Sequence, residues 1–272
     1  MFVLNDREYK YISRAVYNYA KINLTEQKRP LIVSRLSKRI RELKMGSFAQ
    51  YVEYLKDDTS GREFELLVDS LSTNFSHFFR ESHHFDFLKD EVLEKAGREQ
   101  LTIWSAAAST GQEVYSIVMT IKEFEEQRGR RINARLFASD ISRKVLLAAS
   151  KGIYQERDVE KVPRPILEKY FLRGTGEKSN LVKVKKELIG KVNFFRLNLN
   201  DKTYMLPEMD IIFLRNAIIY FDHDTKVELI NRLHNYIKPN GYLILGHSES
   251  LSGISDRFEL IGKTIYRRIG DD

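Results

Sequence analysis

The sequence predicts an α/β protein: a small all-α domain over residues 1–72, then a β/α domain over 73–272 with a small β insertion at about 163–190. Three observations predict this. Up to about residue 72, apolar residues recur at helical spacing with no strand-like alternation. From Leu101 onward, short apolar runs alternate with amphipathic stretches, the pattern of a largely parallel sheet with helical crossovers. Between Pro163 and Gly190 the alternation breaks: Arg173-Gly174-Thr175-Gly176 is followed by Leu181-Val182-Lys183-Val184-Lys185.

In the helical part, Asn5 with Glu8 is the expected cap of a first helix carrying Tyr9, Ile12, Val16 and Tyr19. A second helix is expected from about Arg29 to Lys44, with Ile32, Leu36, Ile40 and Leu43 as its apolar stripe. Its other faces carry Arg35, Lys38, Arg39, Arg41 and Lys44 against the single acid Glu42. Such a face is either solvated or a docking surface for an acidic partner, and its one-sidedness favours docking. Ser47 with Gln50 and Ser60 with Glu63 are the expected starts of a third and a fourth helix.

Residues 73–95, TNFSHFFRESHHFDFLKDEVLEK, read as a junction. Thr73, Asn74 and Ser76 are turn or cap residues, and Phe78, Phe79, Phe85, Phe87 and Leu88 are suited to pack on the next domain. Arg80, among aromatics, either pairs with a surface acid such as Glu81 or grips a carboxylate bidentately. His83 and His84 are adjacent and diverge on a helix, so no metal is expected there.

The β/α part has strands expected at 101–106, 134–139, 191–197, 209–214, 241–246 and 263–269, and helices near 113–127, 142–150 and 223–237. Asn240-Gly241 is the expected stop of the last helix. The insertion is expected to be an edge hairpin protected by lysines, or a dock for a peptide that adds as a strand.

The chemistry centres on Leu101–Ser116, LTIWSAAASTGQEVYS. A buried strand turns through small residues into a helix, which brings backbone N–H groups and the positive helix end toward a ligand. There is neither a GxGxxG nor a GxxxxGK[ST] fingerprint, so no phosphate cradle is indicated. Glu113 in the new helix and Asp140 at the end of the second strand suit a nucleoside with ribose hydroxyls and a positive charge, which S-adenosylmethionine has. Asn198, Arg215 and Asn216, and the run Gly246-His247-Ser248-Glu249-Ser250, follow later strands and are expected at the rim of the same crevice, where polar strand ends line a ligand. His247 and Glu249 read as a surface turn pair, and Trp104 as core.

Composition bounds the alternatives. The 272 residues are 42% hydrophobic and 11% aromatic, enough to bury a core, and the absence of cysteine excludes disulfides, thiolate metal sites and cysteine nucleophiles. That absence fits a reducing cytoplasm. The first residues, MFVLNDREYKY, do not resemble a signal peptide, and no apolar run approaches the roughly 20 residues of a membrane helix. A net charge of +7 points to an acidic partner.

Six stretches in order, TNFSHFFRESHHF, IWSAAASTGQEVYS, LFASDIS, FFRLNL, IIFLRNAIIYFD and LILGHSESL, resemble the chemotaxis receptor methyltransferases, the CheR family, over about residues 73–269. The resemblance implies a helical N-terminal domain and a Rossmann-like catalytic domain that uses S-adenosylmethionine and yields S-adenosylhomocysteine, with a small inserted β-subdomain. It implies methylation of glutamates on cytoplasmic helices of membrane chemoreceptors by a cytoplasmic protein that is not itself membrane-bound and uses no metal. By position it places cofactor contacts on Asn74, Ser76, Arg80, Glu113, Asp140, Asn198, Leu199, Arg215 and Asn216. Arg80 and Tyr220 fall beside the methyl transfer. The Arg173–Gly176 loop resembles members that dock a receptor's C-terminal tail peptide. In this chain Gln112 and Val114 replace a glutamate and a proline common in the family, and Ser76 replaces a common threonine.

The expected reaction is in-line attack of a glutamate carboxylate on the sulfonium methyl. A carboxylate with a pKa near about 4.3 is already ionised at neutral pH, so no general base is needed. The basic helix then has an acidic, glutamate-bearing coiled coil as its partner. A nucleic-acid methyltransferase, supported only by the positive charge, and a non-catalytic cofactor sensor, suggested by Gln112 and Val114, are the rival readings. Nucleic acid is not the expected partner, because the stacked aromatics and Gly-rich segments of RNA readers are missing.

Overall fold

Four helices form because each buries one stripe. The structure is a computed structural model describing residues 2–72 and 74–270. Helix α1 (Asp6–Ala20) buries Tyr9, Ile12, Val16 and Ala20, and α2 (Arg29–Glu42) buries Ile32, Leu36 and Ile40. Ser47 caps α3 (Phe48–Asp57) by accepting the Gln50 N–H at 3.3 Å. Helix α4 (Arg62–Leu71) closes the bundle, whose core joins these stripes to Phe48, Tyr51, Leu55 and Leu67.

Two expected caps do not form. Asn5 makes no side-chain cap bond, and Glu8 is buried beside it. At α4, Asp58 replaces Ser60 with Glu63: its Oδ2 accepts the N–H groups of Glu63 (2.7 Å) and Phe64 (3.3 Å). Glu63 is needed elsewhere. It is buried, accepts Arg39 Nε at 2.9 Å and Nη2 at 2.5 Å, and accepts the Tyr51 hydroxyl at 3.0 Å. The basic face of α2 is thereby divided. Arg39 and Arg35 hold α2 to α4, the latter donating to the carbonyls of Leu71 (2.9 Å) and Ser72 (2.8 Å). Lys38, Arg41 and Lys44 remain exposed.

Thr73 lies outside the described residues. Helix α5 (His83–Phe87) continues as a π-helical turn to Leu93, and Phe78, Phe85 and Leu88 enter the next core with Phe79 and Phe87 packed against it. His84 is buried, its Nε2 3.1 Å from Thr264 Oγ1 and 3.2 Å from the Lys263 carbonyl.

The remainder alternates as expected: β1 (Leu101–Ser105), α6 (Gln112–Arg128), β2 (Ala134–Asp140), α7 (Arg143–Lys151), β3 (Ile153–Gln155), α8 (Arg164–Tyr170), β4 (Phe171–Arg173), β5 (Leu181–Val184), α9 (Lys186–Ile189), β6 (Val192–Arg196), β7 (Met209–Leu214), α10 (His223–His234), β8 (Ile237–Leu245), β9 (Phe258–Gly262) and β10 (Ile265–Arg268). A seven-stranded sheet has the order β6-β2-β1-β7-β8-β10-β9. Strands β6 through β8 run parallel, and β10 is antiparallel to both its neighbours. Strand alternation divides the core in two. Ile103, Leu136, Ile211 and Phe213 face α6, while Trp104, Phe137, Ile212 and Leu214 pack with α10.

Three expectations need correction. Helix α10 stops at His234, and Asn240-Gly241 lies inside β8 rather than ending the helix. Asn240 has φ +60°, and the β7–β8 register shifts between Met209 and Ile211. A Cβ on Gly241 would sit 2.7 Å from Ile237 Cγ2, so this pair makes a bulge. The inserted sheet has three strands, β3-β5-β4, all antiparallel, and begins at Ile153, before Pro163. Strand β5, with its lysines, is its centre and not an edge. Strand β9 was not expected, because Phe258–Gly262 lacks clear alternation.

No described helix is long and apolar enough to cross a membrane.

Candidate active site

Strand β1 has β2 on one side and β7 on the other, so the connections leave it in opposite directions and open a crevice beyond the strand ends. A cleft open to solvent occupies that place. Asn74, Ser76, Arg80, Glu113, Asp140, Asn198, Leu199, Arg215, Asn216 and Tyr220, scattered over 147 positions of sequence, all line it.

The floor is the turn after β1. Gly111 has φ +94°, and a Cβ there would fall 2.9 Å from Ala149 Cβ, so only glycine lets α6 start against α7. The turn's donors are used internally. Ala108 N–H goes to the Ser139 carbonyl (2.8 Å), Ser109 N–H to Asp140 Oδ2 (2.9 Å) and Gly111 N–H to the Ala108 carbonyl (2.9 Å). These three amides are not available to a phosphate. Gln112 Oε1 accepts the Thr110 hydroxyl at 2.7 Å, and Val114 is buried in the first turn of α6.

Glu113 projects from that first turn and is buried. Its Oε1 accepts the Ser105 hydroxyl (2.7 Å) and its Oε2 lies 3.0 Å from Arg215 Nη1. Burial pushes its pKa up, opposed by the Arg215 guanidinium and the Ser105 hydroxyl. Asp140 ends β2. Its two oxygens accept the N–H groups of Ser109 (2.9 Å) and Ser142 (3.0 Å), and burial raises its pKa as well.

Arg215 is the buried cross-link of the site. Besides Glu113 it meets Glu81 Oε2 at 3.2 Å and donates to the Arg80 carbonyl. Burial would raise Glu81, but the Arg215 charge and the His247 N–H outweigh it and hold Glu81 below the usual value. Arg80 is a quarter exposed: Nη1 donates to the Phe75 carbonyl at 3.2 Å, and its guanidinium lies 6.0 Å from the Phe75 ring centre and 3.7 Å from Glu81. Phe79, Glu81, Ser109 and Asn216 all have positive φ in segments around the cleft, a strain of about 1–3 kcal/mol each that the surrounding bonds must hold.

The rim opposite is tied to the helical part. Asn198 Nδ2 donates to the Tyr19 carbonyl (2.7 Å), and the Asn23 N–H donates to the Tyr220 carbonyl (3.0 Å). Lys28 Nζ lies 5.4 Å from the centre of the Tyr220 ring. Ala20, Ile22, Leu71 and Ser72 complete the wall, and nothing in their apolar or small side chains signals this in sequence.

One sequence reading changes. Glu249 is not a surface turn residue. It is buried, and its carboxylate accepts the N–H groups of Gly246 (2.7 Å), Asn216 (2.8 Å) and Ile219 (3.3 Å). His247 is exposed beside it. Asp210 starts β7 at the opposite end of the sheet from the cleft, where it accepts Thr102 N–H (2.7 Å) and Lys238 Nζ (2.8 Å).

Among the described residues no histidine, cysteine or lysine lines the cleft, and no group of three or more His, Cys, Asp and Glu is placed to hold a metal ion. The arrangement offers buried acceptors, apolar walls and one accessible guanidinium, with no histidine, cysteine or lysine among the described lining residues. It is built to bind and orient rather than to move protons.

Comparison with known proteins agrees. Residues 7–72 match the family described as CheR methyltransferase, all-alpha domain, and residues 74–267 match the CheR methyltransferase, SAM binding domain. The chemotaxis protein methyltransferase of Escherichia coli (strain K12) is 40% identical over 264 residues, 97% of this chain and 91% of that protein. Chemotaxis protein methyltransferase 2 of Pseudomonas aeruginosa is 38% identical, covering 95% and 92%. The chemotaxis protein methyltransferase of Borreliella burgdorferi is 36% identical, covering 96% and 94%. With both of its parts matched and the likeness sustained along nearly its whole length, the chain belongs to the CheR family of chemotaxis methyltransferases that bind S-adenosylmethionine.

Proposed function

We propose that this protein transfers the methyl group of S-adenosylmethionine to glutamate side chains of membrane chemoreceptors, giving glutamyl methyl esters and S-adenosylhomocysteine. The observation that carries the reading is the convergence of two buried carboxylates and one accessible arginine on a cleft that no described histidine, cysteine or lysine lines.

The residues present fit the cofactor. Asp140, at a strand end and buried, suits ribose hydroxyls. Asp140 brings to the cleft a carboxylate with no buried cation hydrogen-bonded to it, favourable to a sulfonium cation, while the spent amides of the β1 turn suit a nucleoside without phosphate. When bound, S-adenosylmethionine supplies an electrophilic methyl group. The chain itself has four tasks. Glu113, Asp140, Asn198 and Asn216 bind and orient, with Asn74, Ser76 and Leu199 bordering them. Arg215 neutralises Glu113 and Glu81 so that both acids tolerate burial. Arg80, steadied by Phe75, orients the incoming glutamate carboxylate. Glu81 at 3.7 Å tempers its charge, so the nucleophile is held without being quenched. Tyr220 borders the reacting atoms and helps exclude water.

The acceptor, an ionised glutamate, needs no base at neutral pH. Its approach is guided by Lys38 and Arg41 of α2 and Lys44 just beyond it, the cations left exposed toward an acidic coiled coil. Strands β3 and β4, the edges of the inserted sheet, are the proposed dock for a receptor tail peptide. Work on the cytoplasmic helices of receptors places the protein in the cytoplasm.

The test is transfer of labelled methyl from S-adenosylmethionine to chemoreceptor-containing membranes. Label recovered as alkali-labile methanol is the expected result. Label in RNA, or in an alkali-stable product, would overturn the reading. S-adenosylhomocysteine binding with no transfer would support the non-catalytic alternative.

A further inference from the structure

Residues Arg215–Phe221 bring five side chains to the cleft: Arg215, Asn216, Ala217, Tyr220 and Phe221. The segment is not a regular element. It leaves β7, takes Asn216 through φ +57° and makes one 3-10 turn at Ile218–Tyr220 before α10. A short irregular segment has no ladder or helix to satisfy its amides, so something else must.

Glu249 does so. Its carboxylate accepts the Asn216 N–H at 2.8 Å, the Ile219 N–H at 3.3 Å and the Gly246 N–H at 2.7 Å. The protein thus fills an anion-binding hollow with its own side chain. The hollow is cut to fit. A Cβ on Gly246 would fall 2.4 Å from Asn216 Nδ2 and 2.9 Å from Glu249 Oε2, so glycine is required for the two strand ends to approach. Glu249 does not line the cleft and is 5% exposed. A lone buried carboxylate away from ligand, held only by backbone amides, is expensive to keep.

We infer that Glu249 is a positioning residue for methyl transfer: by gathering the Asn216 and Ile219 amides it fixes Asn216 and Tyr220 at the cleft, touching neither cofactor nor substrate itself. This rests on the methyltransferase reading above. The chemical reason for an acid is specific. A carboxylate is acceptor-only and has lone pairs for four donors. An amide of the same shape turns an NH2 group toward some of the N–H groups and repels them.

The experiment compares Glu249→Gln, Tyr220→Phe and the double variant with the parent protein. Amide hydrogen exchange, S-adenosylhomocysteine affinity by calorimetry, and methyl transfer at saturating cofactor are measured. Glu249→Gln is expected to speed exchange at residues 216–219 by tenfold or more. Turnover should fall at least tenfold, with affinity falling less than turnover. Adding it to Tyr220→Phe should cost under threefold more, because both changes disable one device. Glu249→Asp, which keeps the charge, should recover part of the loss. Unchanged turnover despite faster exchange would overturn the inference, as would fully additive losses. If Glu249→Gln does not fold, the Asp variant carries the same exchange and additivity tests. A parent protein that binds no S-adenosylhomocysteine and transfers no methyl would instead overturn the reading on which the inference rests.

Discussion

Glu113 and Asp140 are both buried acids of one cleft, yet they answer to mutation differently. Glu113 has one oxygen on Ser105 and the other on Arg215, so removing it takes one of two acids from a guanidinium that is 2% exposed and leaves it only Glu81. Its loss mixes fold with binding. Asp140 is held by two backbone N–H groups, and no buried charge is its partner. Asp140→Asn therefore leaves no buried cation without its acid, although its NH2 group must face one of those two N–H groups; it is expected to weaken S-adenosylhomocysteine about 10- to 100-fold by calorimetry, the worth of a charged hydrogen bond. Arg80→Ala should lose most turnover while leaving the melting temperature nearly unchanged, because Arg80 bonds only to Phe75 and touches Glu81 at 3.7 Å. Wild-type melting and turnover side by side check it. His84 makes a pH prediction. Burial, then the nearby Arg215 charge, push its pKa down to about 3 from 6.5. Between these values the unfolded chain binds a proton that the native one does not. Stability is thus complete above pH 6.5 and lost as pH falls toward 3, by about 3 kcal/mol at pH 4 from this residue. Urea unfolding at pH 7 and pH 4 should show this loss, and His84→Gln should flatten it.

At the scale of elements, the decisive features are joints. The α2–α4 joint rests on Arg39 and the buried Glu63. Arg39→Ala should cost about 2–3 kcal/mol in denaturant unfolding, below the figure for a fully buried pair because Arg39 is partly exposed. The exposed cations Lys38 and Arg41 of the same helix and Lys44 just beyond it should behave oppositely. Replacing Lys38, Arg41 and Lys44 by serine leaves the melting temperature nearly unchanged but flattens the fall of methylation with salt, since exposed charges are screened beyond about 8 Å at physiological ionic strength. A steep salt dependence in that triple variant would remove the face from docking. The joint of α6 with α7 rests on Gly111, where φ +94° and a 2.9 Å clash bar any side chain.

Across the whole molecule, the end of the first helix reaches the catalytic rim. Tyr17 donates to Asp222 at 2.5 Å, the Asn23 N–H to the Tyr220 carbonyl at 3.0 Å, and Tyr19 meets both Arg196 and Asn198. The cleft's wall is thus partly made by the helical part, and ligand binding should be felt there. S-adenosylhomocysteine at 100 times its dissociation constant should stabilise the native state by about 2.7 kcal/mol. Amide exchange should slow in the last turn of α1 as well as around Asp140. Protection confined to the α/β part would contradict this coupling.

The one-dimensional pattern settled a good deal. Apolar spacing placed the helices and the parallel strands, because burial on one stripe or on both faces leaves a period in the chain. The acids Glu113, at the start of the helix after β1, and Asp140, at the end of β2, were legible because such positions face the crevice of an open α/β sheet. The ordered stretches carried the family and, with it, Arg80 and Tyr220. What the pattern left open depended on partners far away in sequence. Glu63 looked like a cap and is a buried ion-pair acceptor. Arg35 and Arg39 looked free and are spent on α4. Asn240-Gly241 looked like a helix stop and is a bulge. Glu249 looked like a surface turn and anchors the loop of Tyr220. In each case the residue type permitted both roles, and only the three-dimensional neighbours chose between them, since a buried polar group takes whatever donor or acceptor the fold brings within about 3 Å.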